Sequence, residues 1–289
     1  MMSGWIFVIL SASTSILIAH FLKQSESRKL NTIRVLTVNY LVASAVALTV
    51  SIYIGGDVVN SDQMIQPILL AGVVGVIFIA NFYFYSKSVF HNGVGISIAA
   101  MRISLIIPVL LSTIWYLEFL SPYQWLGVFL VFTTLFLLLP RKKSIEFELK
   151  KETGWLLLLL FLGTGVGDAS LKVFESEFSD IMGKELFMGS VFLTAFIIGL
   201  LTLLIRRELQ FTLNEIKLGI AIGIPNLLTS IFLIMALERM SGAVVYSSVN
   251  VLTVLGGTLI GIIFWKDHFT KTQWIGILLT VVSILLLIQ

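Results

Sequence analysis

The chain has 289 residues, of which 57% are hydrophobic and only 12% charged, with a formal net charge of +3. A water-soluble domain of this size carries about a quarter charged residues, so this surface is built for lipid. Cysteine is absent, which excludes disulfides and thiolate metal sites, and the basic residues fall between apolar runs rather than on a patch suited to nucleic acid.

About 20 apolar residues cross a bilayer as a helix, and ten such runs are predicted in chain order. The first, near 4–22, has no basic stretch before it and therefore reads as a retained helix, not a cleaved signal peptide. His20 sits near its end. A run near 33–54 follows, then one near 66–86 that carries Asn81 and Tyr85. A short polar connector, Lys87 to Val94, leads to the fourth run near 95–116, which holds Arg102 and Pro108. The fifth lies near 122–140. After a basic linker at 141–153, the sixth run, near 154–174, carries Asp168 and Lys172. Runs near 185–205, 215–237, 243–265 and 272–288 complete the chain; the eighth holds Asn226, and the ninth holds Tyr246, Asn250, Thr253 and Gly257. No ten-residue alternation of a membrane β-barrel is present, so the expected fold is an all-α polytopic membrane protein of ten helices.

The connectors after the odd-numbered runs hold most of the basic residues, including Lys23, Arg28 and Lys29, Arg141 to Lys143, and Arg206 and Arg207. The positive-inside rule places those connectors in the cytoplasm and both termini outside a cell membrane. Residues 83–139 also echo residues 232–288 at an offset of 149 without a gap. Gly93 falls on Gly242, Glu118 on Asp267, Gln124-Trp125 on Gln273-Trp274, Gly127 on Gly276, and Pro108 on Gly257. Near the front of each half Gly4-Trp5 matches Gly154-Trp155. The organisation expected is one five-helix repeat at 1–140, the cytoplasmic linker 141–153, and a second repeat at 154–289. Five is odd, so the second copy enters the membrane inverted. Inverted copies that exchange two shapes turn a central cavity from one side to the other, which is alternating access.

Ionisable groups inside a span are costly and are candidates for function. Arg102 is either an anchor for a substrate carboxylate or phosphate, or a structural ion-pair partner that reaches toward the interface. Asp168 and Lys172, four residues apart on one helix face, form either a substrate- or proton-linked pair or a simple intrahelical salt bridge. Tyr246, Asn250, Thr253 and Gly257 make a stripe at helical spacing; its Asn and Thr point to cavity contacts, and its glycines to close helix packing. Asn81, Tyr85 and Asn226 are further cavity candidates, with interhelical hydrogen bonding the alternative for the two asparagines. Pro108 breaks a helix, and with its counterpart Gly257 it marks a hinge region. The three histidines lack metal-ligand spacing, no Ser–His pair is evident, and no P-loop is present.

The last two spans of each half carry a pattern that resembles the EamA-type, ten-span members of the drug/metabolite transporter superfamily. The first copy supplies Pro108, Glu118, Gln124 and Gly127; the second supplies Ala236-Leu237, Gly242, Asp267, Gln273 and Gly276. Departures are Gly257, where that family usually has proline, and Phe119, where arginine is common. The resemblance implies a cavity between the halves walled by spans 3, 4, 8 and 9. It also implies export or exchange of small polar, often amino-acid-like, metabolites. The function expected is therefore secondary transport without a cofactor. A channel or scaffold, or an intramembrane enzyme, is the competing reading. The expected partners are a small-molecule substrate, membrane lipid and protons as a coupling ion, but not nucleic acid, with the chain a monomer or homodimer.

Overall fold

The computed structural model describes residues 2–54, 63–92, 94–138, 154–265 and 270–289. Gly93, the linker 141–153, Asp57, Asp62, Lys266, Asp267 and His268 lie outside the described residues. Every regular element described is helical: α1 (Met2–Ser27), α2 (Thr32–Ile54), α3 (Ile65–Asn92), α4 (Val94–Ile103), α5 (Ile106–Leu110), α6 (Pro122–Leu138), α7 (Gly154–Phe178), α8 (Lys184–Arg206), α9 (Leu213–Leu237), α10 (Gly242–Trp265) and α11 (Lys271–Ile288). A single π-helical turn, Leu111–Trp115, follows α5. Among the described residues nine helical segments are long and apolar enough to cross a membrane, and α6 is a shorter apolar helix of 17 residues. Each of the ten predicted runs therefore has its helix. The fourth run is divided into α4, α5 and the π-helical turn.

That division follows from Pro108. Proline has no N–H to give the carbonyl four residues back, so the Ser104 carbonyl instead accepts from Ile107 N at 2.9 Å, and the Arg102 carbonyl from Leu105 N at 3.3 Å. The helix breaks at Ser104 and Leu105, directly after Arg102. In the second copy α10 runs unbroken through Gly257.

The chain forms two compact units, one of Met2–Ile79 with Val173–Glu238 and one of Ala80–Lys172 with Arg239–Gln289. In the former, α9 packs on α1 and α2, and α8 packs on α2. Lipid supplies no hydrophobic drive between helices, so close approach depends on small residues. A Cβ added to Gly219 would lie 2.6 Å from Val38 Cγ1 and 2.9 Å from the Val35 carbonyl oxygen; one on Gly223 would lie 2.8 Å from Val42 Cβ and 2.9 Å from the Asn39 carbonyl oxygen. Asn226 Nδ2 donates to Asn39 Oδ1 at 3.2 Å on the same α2–α9 contact. At the head of α9 a capping box satisfies the free amides: Glu215 N donates to Thr212 Oγ1, and Thr212 N to Glu215 Oε2. The buried Glu215 also accepts from Asn31 N at 3.2 Å and faces Arg34 Nη1 at 3.5 Å, which fixes the turn into α2.

In the unit of Ala80–Lys172 and Arg239–Gln289, α6 and α11 pack along their length. Their contacts are reciprocal. A Cβ on Gly127 would lie 2.9 Å from Leu287 Cγ, and a Cβ on Gly276 would lie 2.9 Å from Leu138 Cγ. Gly127 and Gly276 are 149 residues apart, and so are Leu138 and Leu287. The start of each helix meets the end of the other, so the two run antiparallel. α10 packs against α5, α6 and α11 in this unit.

Candidate functional site

Nearly all of the candidate residues fall in the unit of Ala80–Lys172 and Arg239–Gln289, and several are in contact. Arg102 ends α4 at the helix break. Its Nη1 donates to Asn250 Oδ1 at 3.0 Å, and Asn250 Nδ2 donates to the Tyr246 carbonyl at 3.2 Å. Tyr246 Oη in turn donates to the Asp168 carbonyl at 2.7 Å, which joins α10 to α7. Asp168 and Tyr85 lie within electrostatic reach of the Arg102 guanidinium. The break matters here because it interrupts the backbone ladder beside the guanidinium. Gly165 lets α7 approach that break: a Cβ there would stand 2.8 Å from the Ser104 carbonyl oxygen.

Around this cluster some polar atoms have no hydrogen-bond partner among the described residues. Thr253 Oγ1, one turn beyond Asn250, is buried and unsatisfied. Asn81 Nδ2 donates to Thr164 Oγ1 at 2.9 Å, while its Oδ1 is buried without a partner beside Gly163. Such groups cost about 1–3 kcal/mol each unless something polar reaches them. A fixed fork of guanidinium donors, a carboxylate, an amide and a hydroxyl together suit a small solute that carries both an anionic and a cationic or hydroxyl group.

Lys172 is placed otherwise. Its ammonium, only 4% exposed, lies 2.7 Å from Glu118 Oε1 and 5.5 Å from the centroid of the Tyr116 ring. Glu118 Oε2 accepts from Gly242 N at 2.6 Å and from Ser112 Oγ. Sequence reasoning missed this partnership. It took Glu118 as the counterpart of Asp267 in the repeat, and nothing in the spacing linked it to Lys172 or Gly242. Asn226 belongs to the other unit, on the α2–α9 contact. Among the described residues no group of three or more His, Asp or Glu side chains is placed to hold a metal ion.

Residues 2–140 match the model of the EamA-like transporter family. The similarity to that family covers the first half of the chain. An uncharacterized protein of Haemophilus influenzae is 29% identical over 223 residues, which are 76% of this chain and 74% of that protein. A protein of known crystal structure shares the fold at a TM-score of 0.77 and 15% identity, over 96% of this chain and 95% of its own. The apolar helices and the match to a transporter family over residues 2–140 together support a multi-pass membrane protein. The helix break, Arg102 and Tyr85 lie within the matched residues; Asn250, Asp168 and Lys172 lie beyond them.

Proposed function

We propose that this EamA-like protein is a secondary carrier that exports a small zwitterionic, amino-acid-like or related polar metabolite across the plasma membrane by alternating access. The observation that carries the reading is the Arg102–Asn250 hydrogen bond at 3.0 Å, which joins an arginine at a helix break of the first repeat to the polar stripe of the second. Arg102 receives the substrate anion, and Asn250 exchanges its bond from Arg102 to the ligand. Asp168 receives the cationic group, and Tyr85, Thr253 and Asn81 complete the polar lining. Lys172 contributes charge at the end of this region. Asn226 acts as a brace on α9. Pro108 and Gly257 are the points about which α4–α5 and α10 flex. Protons are the proposed coupling ion, with Asp168 the group that would carry them.

The antiparallel, reciprocal α6–α11 contact supports two copies inverted in the membrane, 1–140 and 154–289 about the linker 141–153. With the basic connectors inside, both termini lie outside the cell. Epitope tags at either end are expected to be reached by antibody in intact cells; protection of both tags reverses the orientation.

A metabolite screen in proteoliposomes tests the proposal directly. Uptake of at least one zwitterionic or anionic metabolite is expected to saturate, and an imposed pH gradient is expected to change its rate. Absence of flux across amino acids, organic acids and sugar phosphates, from protein shown to be folded, would leave only a non-transporting scaffold.

A further inference from the structure

A second polar constellation stands apart from Arg102, and its backbone is unusual in three ways. The π-helical turn Leu111–Trp115 ends the fourth span, and such turns cluster at functional sites. Leu117 follows with φ 51°, a left-handed conformation that a branched residue rarely takes. Glu118 N then donates back to the Ser112 carbonyl at 3.2 Å. This folded-back path brings the Glu118 carboxylate to the first turn of α10. There it accepts from Gly242 N and from Ser112 Oγ, while Ser112 Oγ itself accepts from Ala243 N at 3.0 Å. A negative group at a helix start is favourable, and Lys172 on α7 completes the neutralisation at 2.7 Å. Gly242 is required by space: a Cβ there would stand 2.9 Å from Ser112 Oγ and 3.5 Å from Glu118 Oε2. One carboxylate thus ties together the end of the fourth span, α7 and α10.

We infer that Glu118, with Ser112, Lys172 and the Gly242 amide, is a latch that closes the extracytoplasmic end of this unit and must release during each transport cycle. The latch bridges segments of both repeats, Glu118 and Ser112 from the first and Lys172 and Gly242 from the second. Its bonds are few and directional, and three of them meet on one carboxylate. Withdrawal of that single side chain therefore removes the Gly242, Ser112 and Lys172 contacts at once and leaves the Ala243 N–Ser112 Oγ bond as a weaker tie, whereas a broad apolar contact has no single point of release. The side of the membrane assigned to it rests on the proposed orientation.

The chain lacks cysteine, so single introduced thiols report on opening. Thr253→Cys places a thiol on α10 beyond the latch, and Thr280→Cys places one at a fully buried position of α11 away from it. The full-length protein in right-side-out and inside-out vesicles is treated with a membrane-impermeant maleimide. In right-side-out vesicles Thr253→Cys is expected to label slowly, and adding Glu118→Gln or Lys172→Gln is expected to raise its rate by roughly tenfold or more, since one partner is removed from a pair whose ammonium is buried. Glu118→Asp is expected to give a smaller increase. Thr280→Cys is expected to stay protected in every background. Unchanged Thr253→Cys labelling in both Gln variants overturns the latch. Equal exposure of Thr280→Cys also overturns it, because Glu118 would then be supporting the fold as a whole. A rise seen only in inside-out vesicles keeps the latch and reverses the proposed orientation. Labelling does not depend on flux, so a protein that opens on release of Glu118 but moves no solute retains the latch and loses the carrier reading.

Discussion

Replacing Arg102 by Gln is expected to lower kcat/KM for an anionic or zwitterionic substrate by about 30- to 4,000-fold while leaving expression and monodispersity intact. The size follows from the chemistry. Truncating one member of a desolvated, hydrogen-bonded charge pair costs about 2–5 kcal/mol, and each 1.4 kcal/mol is about tenfold. Gln keeps a polar amide in place of the guanidinium but ends two bonds short of Nη1, so it loses both the charge and the direct reach to Asn250 Oδ1. Arg102→Lys keeps the charge but lacks the two-pronged donor set, and a smaller loss is expected. The measurement is initial uptake in proteoliposomes over a range of substrate concentrations. Unchanged KM and kcat in Arg102→Gln would remove Arg102 from the binding site and leave it as a structural tie.

The second large effect is expected on stability, away from the polar cluster. Gly223→Leu, and more so Gly219→Leu with Gly223→Leu, should abolish the monodisperse folded protein or sharply lower its thermal transition in detergent. Both glycines face α2 at distances where an added Cβ meets backbone oxygen, Val35 at 2.9 Å and Asn39 at 2.9 Å, and backbone cannot rotate away. Overpacking a well-fitted contact costs about 1–3 kcal/mol or more per site, and separating α2 from α9 also weakens the Asn226–Asn39 hydrogen bond. Gly72→Ala is the matched control. Nothing lies within 4 Å of a Cβ at Gly72, so that change should be neutral or stabilising through helix propensity. Similar behaviour of Gly72→Ala and Gly223→Leu in thermal unfolding would show that the close α2–α9 approach is not what holds this unit together.

The spans were legible in the sequence because lipid imposes a length and a composition on every crossing segment. The interruption after Arg102 was legible from Pro108, since the missing amide acts four residues upstream wherever the helix lies. The repeat made α6 and α11 equivalents, but their contact was not readable, because an offset of 149 relates positions without saying that they touch. The glycines of α9 could have been found: Gly219 and Gly223 are four apart, a spacing that brings two small residues to one helix face. Arg102 and Asn250 each stood out as polar groups within apolar runs, yet the bond between them depends on how α4 ends and where α10 lies. The Glu118 contacts were furthest from view. They depend on a π-helical turn and a left-handed Leu117, for which no periodicity in the sequence gives a sign. Lys172 was read beside Asp168 by its spacing of four, and the structure adds a contact that spacing along one helix does not reveal: the ammonium lies 2.7 Å from a carboxylate 54 residues earlier.

Counterflow in proteoliposomes most directly separates a carrier from every other membrane protein of this shape. Vesicles preloaded with an unlabelled substrate from the metabolite screen should take up the labelled form faster than empty vesicles, with saturation. Arg102→Gln should lose this stimulation. Linear, unsaturated uptake that is indifferent to preloading would contradict alternating access and indicate a channel.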